Sequence, residues 1–280
     1  MCLCPGRALR LGNSPSGTFP RKRNQANFAT PIHAFSESDQ MNKRMQACRI
    51  LQSQGIGTRR DCRDLIRLRR VLFDGVPVNH PEQEFACENL AFSVDGVAFG
   101  YRERAYLALH KPAGYECSQQ PRDHPSVFSL LPEYLLRRGV QSVGRLDQDT
   151  TGLLLFSDDG QFIHQHTSPK KQIGKTYHIT CKDPVSPSLI EQLLAGVQLH
   201  DEPMPLSARQ CRALDEHRLE MVINEGKYHQ VKRMIAAAGN SVAALHRHAI
   251  GGYTLPDDLP SGAWKWLDAV ELSMLKSTLS

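Results

Sequence analysis

The most constraining stretch of this chain is Leu153-Leu154-Leu155-Phe156, four consecutive apolar residues closed by the turn-forming Ser157-Asp158-Asp159-Gly160. So short and continuous a run reads as a buried strand, which commits the chain to a sheet with its core packed around it. The segment entering the strand, Gly144-Arg145-Leu146-Asp147-Gln148-Asp149-Thr150-Thr151, follows the short run Gln141 to Val143, and Gly152 marks a tight bend. A carboxylate in a loop that enters a buried strand can be partly desolvated and still face a cleft, where acids take nucleophilic or general-base roles. Taken singly, an Asp beside Thr and Gly is more often a turn or cap residue, and spacing alone leaves both readings open.

Around this strand the pattern alternates between two periods. Tyr106 to Leu109, Lys175 to Cys181, Arg218 to Ile223 and Val242 to Arg247 read as strands. Asp159 to Thr167, Leu189 to Leu194 and Gln230 to Ala238 read as short helices, the last closed by Gly239-Asn240. With no regular β-α-β repeat and no G-x-G-x-x-G, this predicts an α+β domain with a largely antiparallel mixed sheet and no nucleotide cofactor site.

Four strings, in order along the chain, resemble the motifs of the pseudouridine synthases. They are Lys111-Pro112-Ala113-Gly114-Tyr115, then Gly144-Arg145-Leu146-Asp147 with Thr150 and Gly152, then Lys175-Thr176-Tyr177, and last Glu225-Gly226-Lys227-Tyr228-His229-Gln230-Val231-Lys232-Arg233-Met234. The wording D-T-T-G, T-S-P and H-Q-V-K-R-M is most similar to the branch that acts on small-subunit ribosomal RNA. The resemblance implies the family's catalytic domain over residues 101–280 and an isomerase that converts a specific uridine to pseudouridine. It also implies that Asp147 is the catalytic aspartate, that Tyr177 stacks on the target base, and that Lys232 pairs with the aspartate. Arg145 is expected to contact the RNA backbone or to help hold the flipped nucleotide. Arg233 is the alternative cation or else a contact to RNA; successive helical positions point in different directions, so only one of the two should reach Asp147. Lys111 is expected either to contact phosphate or to be solvated. The isomerisation involves no redox change, hydrolysis or phosphate transfer, so no cofactor and no metal is expected.

Charge is distributed unevenly. Residues 41–80 hold nine basic residues against three acids, whereas residues 81–280 sum to −4. Thr58-Arg59-Arg60-Asp61 opening a helix, followed by Val71 to Val78 around Asp74-Gly75, resembles the alpha-L RNA-binding module shared with a small-subunit ribosomal protein. That predicts a small α+β RNA-binding domain and linker over residues 42–100, with Arg59, Arg60 and Arg63 on RNA and steeply salt-dependent binding. Residues 80–104 read as a linker with a strand pair at Asp95-Gly96. Residues 1–41, basic and rich in Gly, Pro, Ser and Asn, read as a disordered extension; Met41 as an alternative start is favoured over a transit peptide.

The eight cysteines contain no C-x-x-C, which argues for reduced thiols. No apolar run is long enough to cross a membrane, and a cytoplasmic monomer acting on ribosomal RNA or an assembling small subunit is expected. His164-x-His166 and His246-x-His248 suggest metal ligands, but neither pair has a third ligand close in sequence. Trp264 and Trp266 read as core or sheet-surface residues. The rival readings are a synthase of large-subunit RNA, a noncatalytic ribosome-assembly factor, and a glycosylase that releases free base.

Overall fold

The computed structural model describes residues 43–276; the expected N-terminal extension over 1–41 lies outside them. Leu154 and Phe156 enter one hydrophobic cluster while Leu153 and Leu155 enter another, so the strand Thr151–Ser157 is buried on both faces. Its continuous apolar run follows from that position. The helices Glu133–Arg138, Pro187–Ala195 and Gln230–Ala237 contribute to the first cluster, and Gly160–Thr167 and Ala269–Met274 to the second.

The sheet runs Gln210–Ala213, Arg218–Ile223, Lys175–Cys181, Val242–Ile250, Thr151–Ser157, Tyr106–Lys111, Trp264–Trp266, with two short strands paired off this path. Of the pairings among its described strands, one is parallel: Val242–Ile250 meets Thr151–Ser157 through His246↔Thr151 and Arg247↔Gly152. This seam divides the sheet into two antiparallel halves, and the Asp147 loop opens onto it. Gly152 does not form the expected bend. It lies inside the strand at φ +107°, where a Cβ would meet the Arg247 carbonyl oxygen at 2.3 Å. Glycine is needed there because the neighbouring backbone approaches so closely. The strand read as Val242 to Arg247 also continues to Ile250, through its pairing with Tyr253–Thr254.

A separate cluster gathers Ala47, Cys48, Ile50, Leu51, Cys62, Ile66, Val71, Phe73, Phe92 and Val94. The helix Arg59–Arg67 starts in a capping box, with Thr58 accepting from the Asp61 amide and the Asp61 carboxylate accepting from the Thr58 amide. Asp74-Gly75 and Asp95-Gly96 all have positive φ, the geometry of tight hairpin turns. The stretch read largely as linker belongs to this unit: Ala91–Val94 and Val97–Gly100 pair with Val71–Phe73 in a four-stranded sheet.

Arg138 joins the two clusters. Its guanidinium donates to Asp158 Oδ2 (2.5 Å), Gln54 Oε1 (2.8 Å) and the Arg102 carbonyl (2.7 Å). Arg137 donates to the Ile56 carbonyl, and Phe99 meets Tyr134 edge to face at 5.5 Å. The Arg102 guanidinium lies over the half-buried Trp266 ring at 4.4 Å.

Candidate active site

The loop Gly144–Thr150 is fixed from below. Its turn closes through the Thr150 amide donating to the Asp147 carbonyl (3.1 Å), and Gly114 N donates to the Gln148 carbonyl (2.8 Å). Lys111 is fully buried, and its ammonium donates to the carbonyls of Thr150 (2.8 Å), Pro112 (3.0 Å) and Gln148 (3.1 Å). This corrects the expectation of a phosphate-contacting or solvated lysine. A buried ammonium needs its hydrogens matched, and here the matching oxygens belong to the loop that carries Asp147. Burial pushes the Lys111 pKa down, and the neighbouring carboxylates oppose the shift.

The Asp147 carboxylate lies between two partners on the facing segment. Lys232 Nζ is 3.1 Å from Oδ2 and His229 Nε2 is 3.3 Å from Oδ1. Lys232 also reaches Asp149 at 2.7 and 2.9 Å, so both carboxylates share one ammonium. They differ in setting: the Asp147 side chain is 29% exposed and lines the cleft, whereas that of Asp149 is 56% exposed and lies outside it. Burial raises the Asp149 pKa, but the Lys232 hydrogen bond and charge outweigh it and the net shift is downward. Desolvation opposes the charge on Lys232, but its carboxylates win and raise its pKa. Arg233 points elsewhere, donating to the Tyr228 carbonyl at 3.3 Å and lying 3.5 Å from Asp201. Lys232 is therefore the helix cation that reaches Asp147.

The helix Gln230–Ala237 begins at His229, which takes a left-handed backbone at φ 48°. That conformation, uncommon for a non-glycine residue, belongs to the turn that brings the imidazole to Asp147. Sequence reading missed His229, since nothing in its spacing signals a left-handed turn. Tyr228 stacks on it at 3.8 Å and is largely exposed.

The cleft has a volume of about 240 Å³ and is lined by Asp147, Lys232, His229 and Tyr177, among others. Tyr177 is buried and faces Arg247 across the antiparallel ladder. Lys175, two residues from Tyr177 on the same strand face, donates to the carbonyls of Ile173 (2.9 Å) and Asn224 (3.1 Å). Burial, with the nearby Arg247 charge, pushes the Lys175 pKa down to about 8.

A half-buried aspartate paired with a cation, facing a buried tyrosine across one cleft, is the arrangement the motifs imply. The profile of the family described as RNA pseudouridylate synthase matches residues 105–237. Ribosomal small subunit pseudouridine synthase A of Escherichia coli (strain K12) is 41% identical over 209 residues, which are 74% of this chain and 90% of that protein. The chain belongs to the RNA pseudouridylate synthase family. The protein of the same name from Haemophilus influenzae is 37% identical, covering 78% of this chain and 94% of the relative. A solved structure titled as a crystal structure of pseudouridylate synthase matches 82% of this chain and 99% of its own, at 34% identity and a TM-score of 0.59.

In this family member Arg145 is exposed at the cleft lining, and Arg59 and Arg60 are exposed at the start of their helix. Arg63 is partly engaged, its Nη2 donating to Glu82 at 3.0 Å. The two histidine pairs have separate settings. His164 and His166 lie on the helix Gly160–Thr167, with His166 buried and His164 exposed. His246 and His248 share a strand face with His178, which stacks on His248 at 4.2 Å. Burial and the surrounding histidines push His246 down to about 4. Among the described residues, no group of three or more His, Cys, Asp or Glu side chains is disposed to hold a metal ion.

Proposed function

We propose that this chain isomerises a specific uridine of small-subunit ribosomal RNA to pseudouridine, with Asp147 as the catalytic carboxylate. The reading rests above all on Asp147 lying between Lys232 and His229 in the same cleft as the buried ring of Tyr177. Isomerisation breaks the bond from ribose C1′ to N1, turns the base and joins C5 to C1′. Asp147 acts as nucleophile at C1′ or as the base that takes the 2′ proton, and either role needs an oriented carboxylate, which the contact with Lys232 supplies. The target base must leave its stack, at a cost of a few kcal/mol, and Tyr177 supplies a face for it.

Arg145 at the cleft, with Arg59, Arg60 and Arg63 on the small N-terminal domain, supplies contacts to the RNA backbone. Small-subunit RNA is favoured over large-subunit RNA by the names of the relatives that match nine-tenths or more of their own length. The setting would then be the cytoplasm, on free RNA or an assembling particle, with the chain as a monomer. A noncatalytic binder has no use for a half-buried aspartate clasped by a lysine, which costs desolvation.

The test is pseudouridine formation in unmodified small-subunit ribosomal RNA, mapped by carbodiimide-dependent primer-extension stops, with wild type beside Asp147→Ala. One new stop made by wild type alone is the expected result. Stops on large-subunit RNA only would move the substrate, loss of RNA mass would indicate a glycosylase, and activity surviving in Asp147→Ala would overturn the assignment.

A further inference from the structure

Buried polar atoms are normally paired, so a buried donor or acceptor without a partner in the protein is poised to meet a ligand. Six buried side-chain atoms lack a hydrogen-bond partner among the described residues. Four of them belong to residues lining the catalytic cleft: Thr150 Oγ1, His166 Nε2, Asn224 Oδ1 and Arg247 Nη2. Arg247 stands out because it is charged and only 3% exposed. Its Nε donates to the Leu153 carbonyl at 2.7 Å, which fixes the guanidinium plane, and Nη2 has no acceptor.

The charges around it are one-sided. Lys175, on the same strand face as Tyr177, and Lys111 behind the loop both feel the Arg247 charge. The acid whose charge acts on Lys175 is Glu225, and its Oε2 already accepts from Gln230. Asp147 is matched by Lys232 and His229, but Arg247 has no carboxylate within ion-pairing distance among the described residues. Two of the three hydrogens on the Lys175 ammonium are committed to carbonyls, leaving one for a ligand. An excess of buried positive charge beside the ring that receives the base calls for an electron-rich ligand.

Resting on the reaction proposed above, the chemistry supplies one. When C1′–N1 breaks heterolytically, the electron pair stays on the base and is delocalised over N1 and the two carbonyl oxygens. The sugar meanwhile bonds to Asp147 or gives it the 2′ proton. When C5 then bonds to C1′, the bond to Asp147 breaks or the 2′ proton returns to the sugar, and the ring loses its C5 proton as N1 gains one. We propose that Arg247, with Lys175 beside it, stabilises the negative charge the uracil ring carries between these two steps. Donors fixed before the reaction, in a site partly closed to water, are effective at this because they need no reorganisation as charge develops.

The test compares uridine-containing RNA with RNA transcribed using 5-fluorouridine, whose electron-withdrawing fluorine makes the ring a better leaving group. Single-turnover loss of the parent nucleoside is followed by mass spectrometry of digests, for wild type, Arg247→Gln and Arg247→Lys. Arg247→Gln is expected to react about 100-fold more slowly on uridine, in the range seen for loss of one such donor. Its deficit should shrink on 5-fluorouridine, and Arg247→Lys should recover part of the rate. An equal deficit on both RNAs would mean a packing role and would overturn the proposal, as would no deficit on either. Should Arg247→Gln fail to fold, Lys175→Met carries the same comparison. A wild type that modifies no uridine would overturn the proposed reaction itself, an outcome visible before any variant is read.

Discussion

Lys232 holds two carboxylates with one ammonium, and the division of labour follows from where each acid sits. Asp149 takes the shorter contacts but faces solvent, while Asp147 lines the cleft. Lys232→Met is expected to lower kcat by about 100-fold by leaving Asp147 without its nearest cation. Asp149→Ala, measured alongside in the primer-extension assay, should lose far less. Lys175 gives a pH test. Its folded pKa of about 8 lies below the usual lysine value, so between those two pH values the unfolded chain binds the extra proton. Stability should therefore rise with pH across that window, by about 1 kcal/mol after allowance for partial exposure. Urea denaturation of wild type and Lys175→Met at either end of the window should show this rise in wild type and its loss in the variant.

Among the elements, the parallel seam matters most to the site, because it brings Arg247 and Gly152 into register. Gly152→Ala should destabilise the fold by about 3 kcal/mol or more, since its Cβ would collide with backbone rather than a flexible side chain. A shifted urea midpoint would report it. The alternating strands Lys175–Cys181 and Arg218–Ile223 and the short helix between them were legible in the sequence because burial on one face writes a clear period. The motif residues Asp147 and Lys232 were legible by resemblance, and the structure brings them together. Lys111 was not, because the rule that lysines face water fails when a loop offers it three carbonyls. Arg247 was not, because a residue within a strand gives no sign of which strand will lie beside it. Gly152 was recognised as special for the wrong reason: a bend and a close backbone approach both call for glycine.

For the whole molecule, the expected RNA grip lies on one cluster and the chemistry on another. Replacing Arg59 and Arg60 together by Gln should weaken binding to unmodified small-subunit RNA and reduce the log–log salt slope by about 1 to 2, as filter binding at graded salt would show. Arg138 couples the two parts and its pair with Asp158 is nearly enclosed, so Arg138→Ala leaves a carboxylate without its cation. A loss of about 3 kcal/mol in urea denaturation is expected. At the same junction a Cβ on Gly55 would lie 1.9 Å from the Tyr134 carbonyl oxygen, so the two parts touch backbone to backbone with no room for a side chain between them. A caliper with fixed jaws selects by span. With RNA held at one jaw and Asp147 at the other, two uridines with identical neighbours would be told apart by how far each lies from the gripped stretch, and the RNA would do the bending.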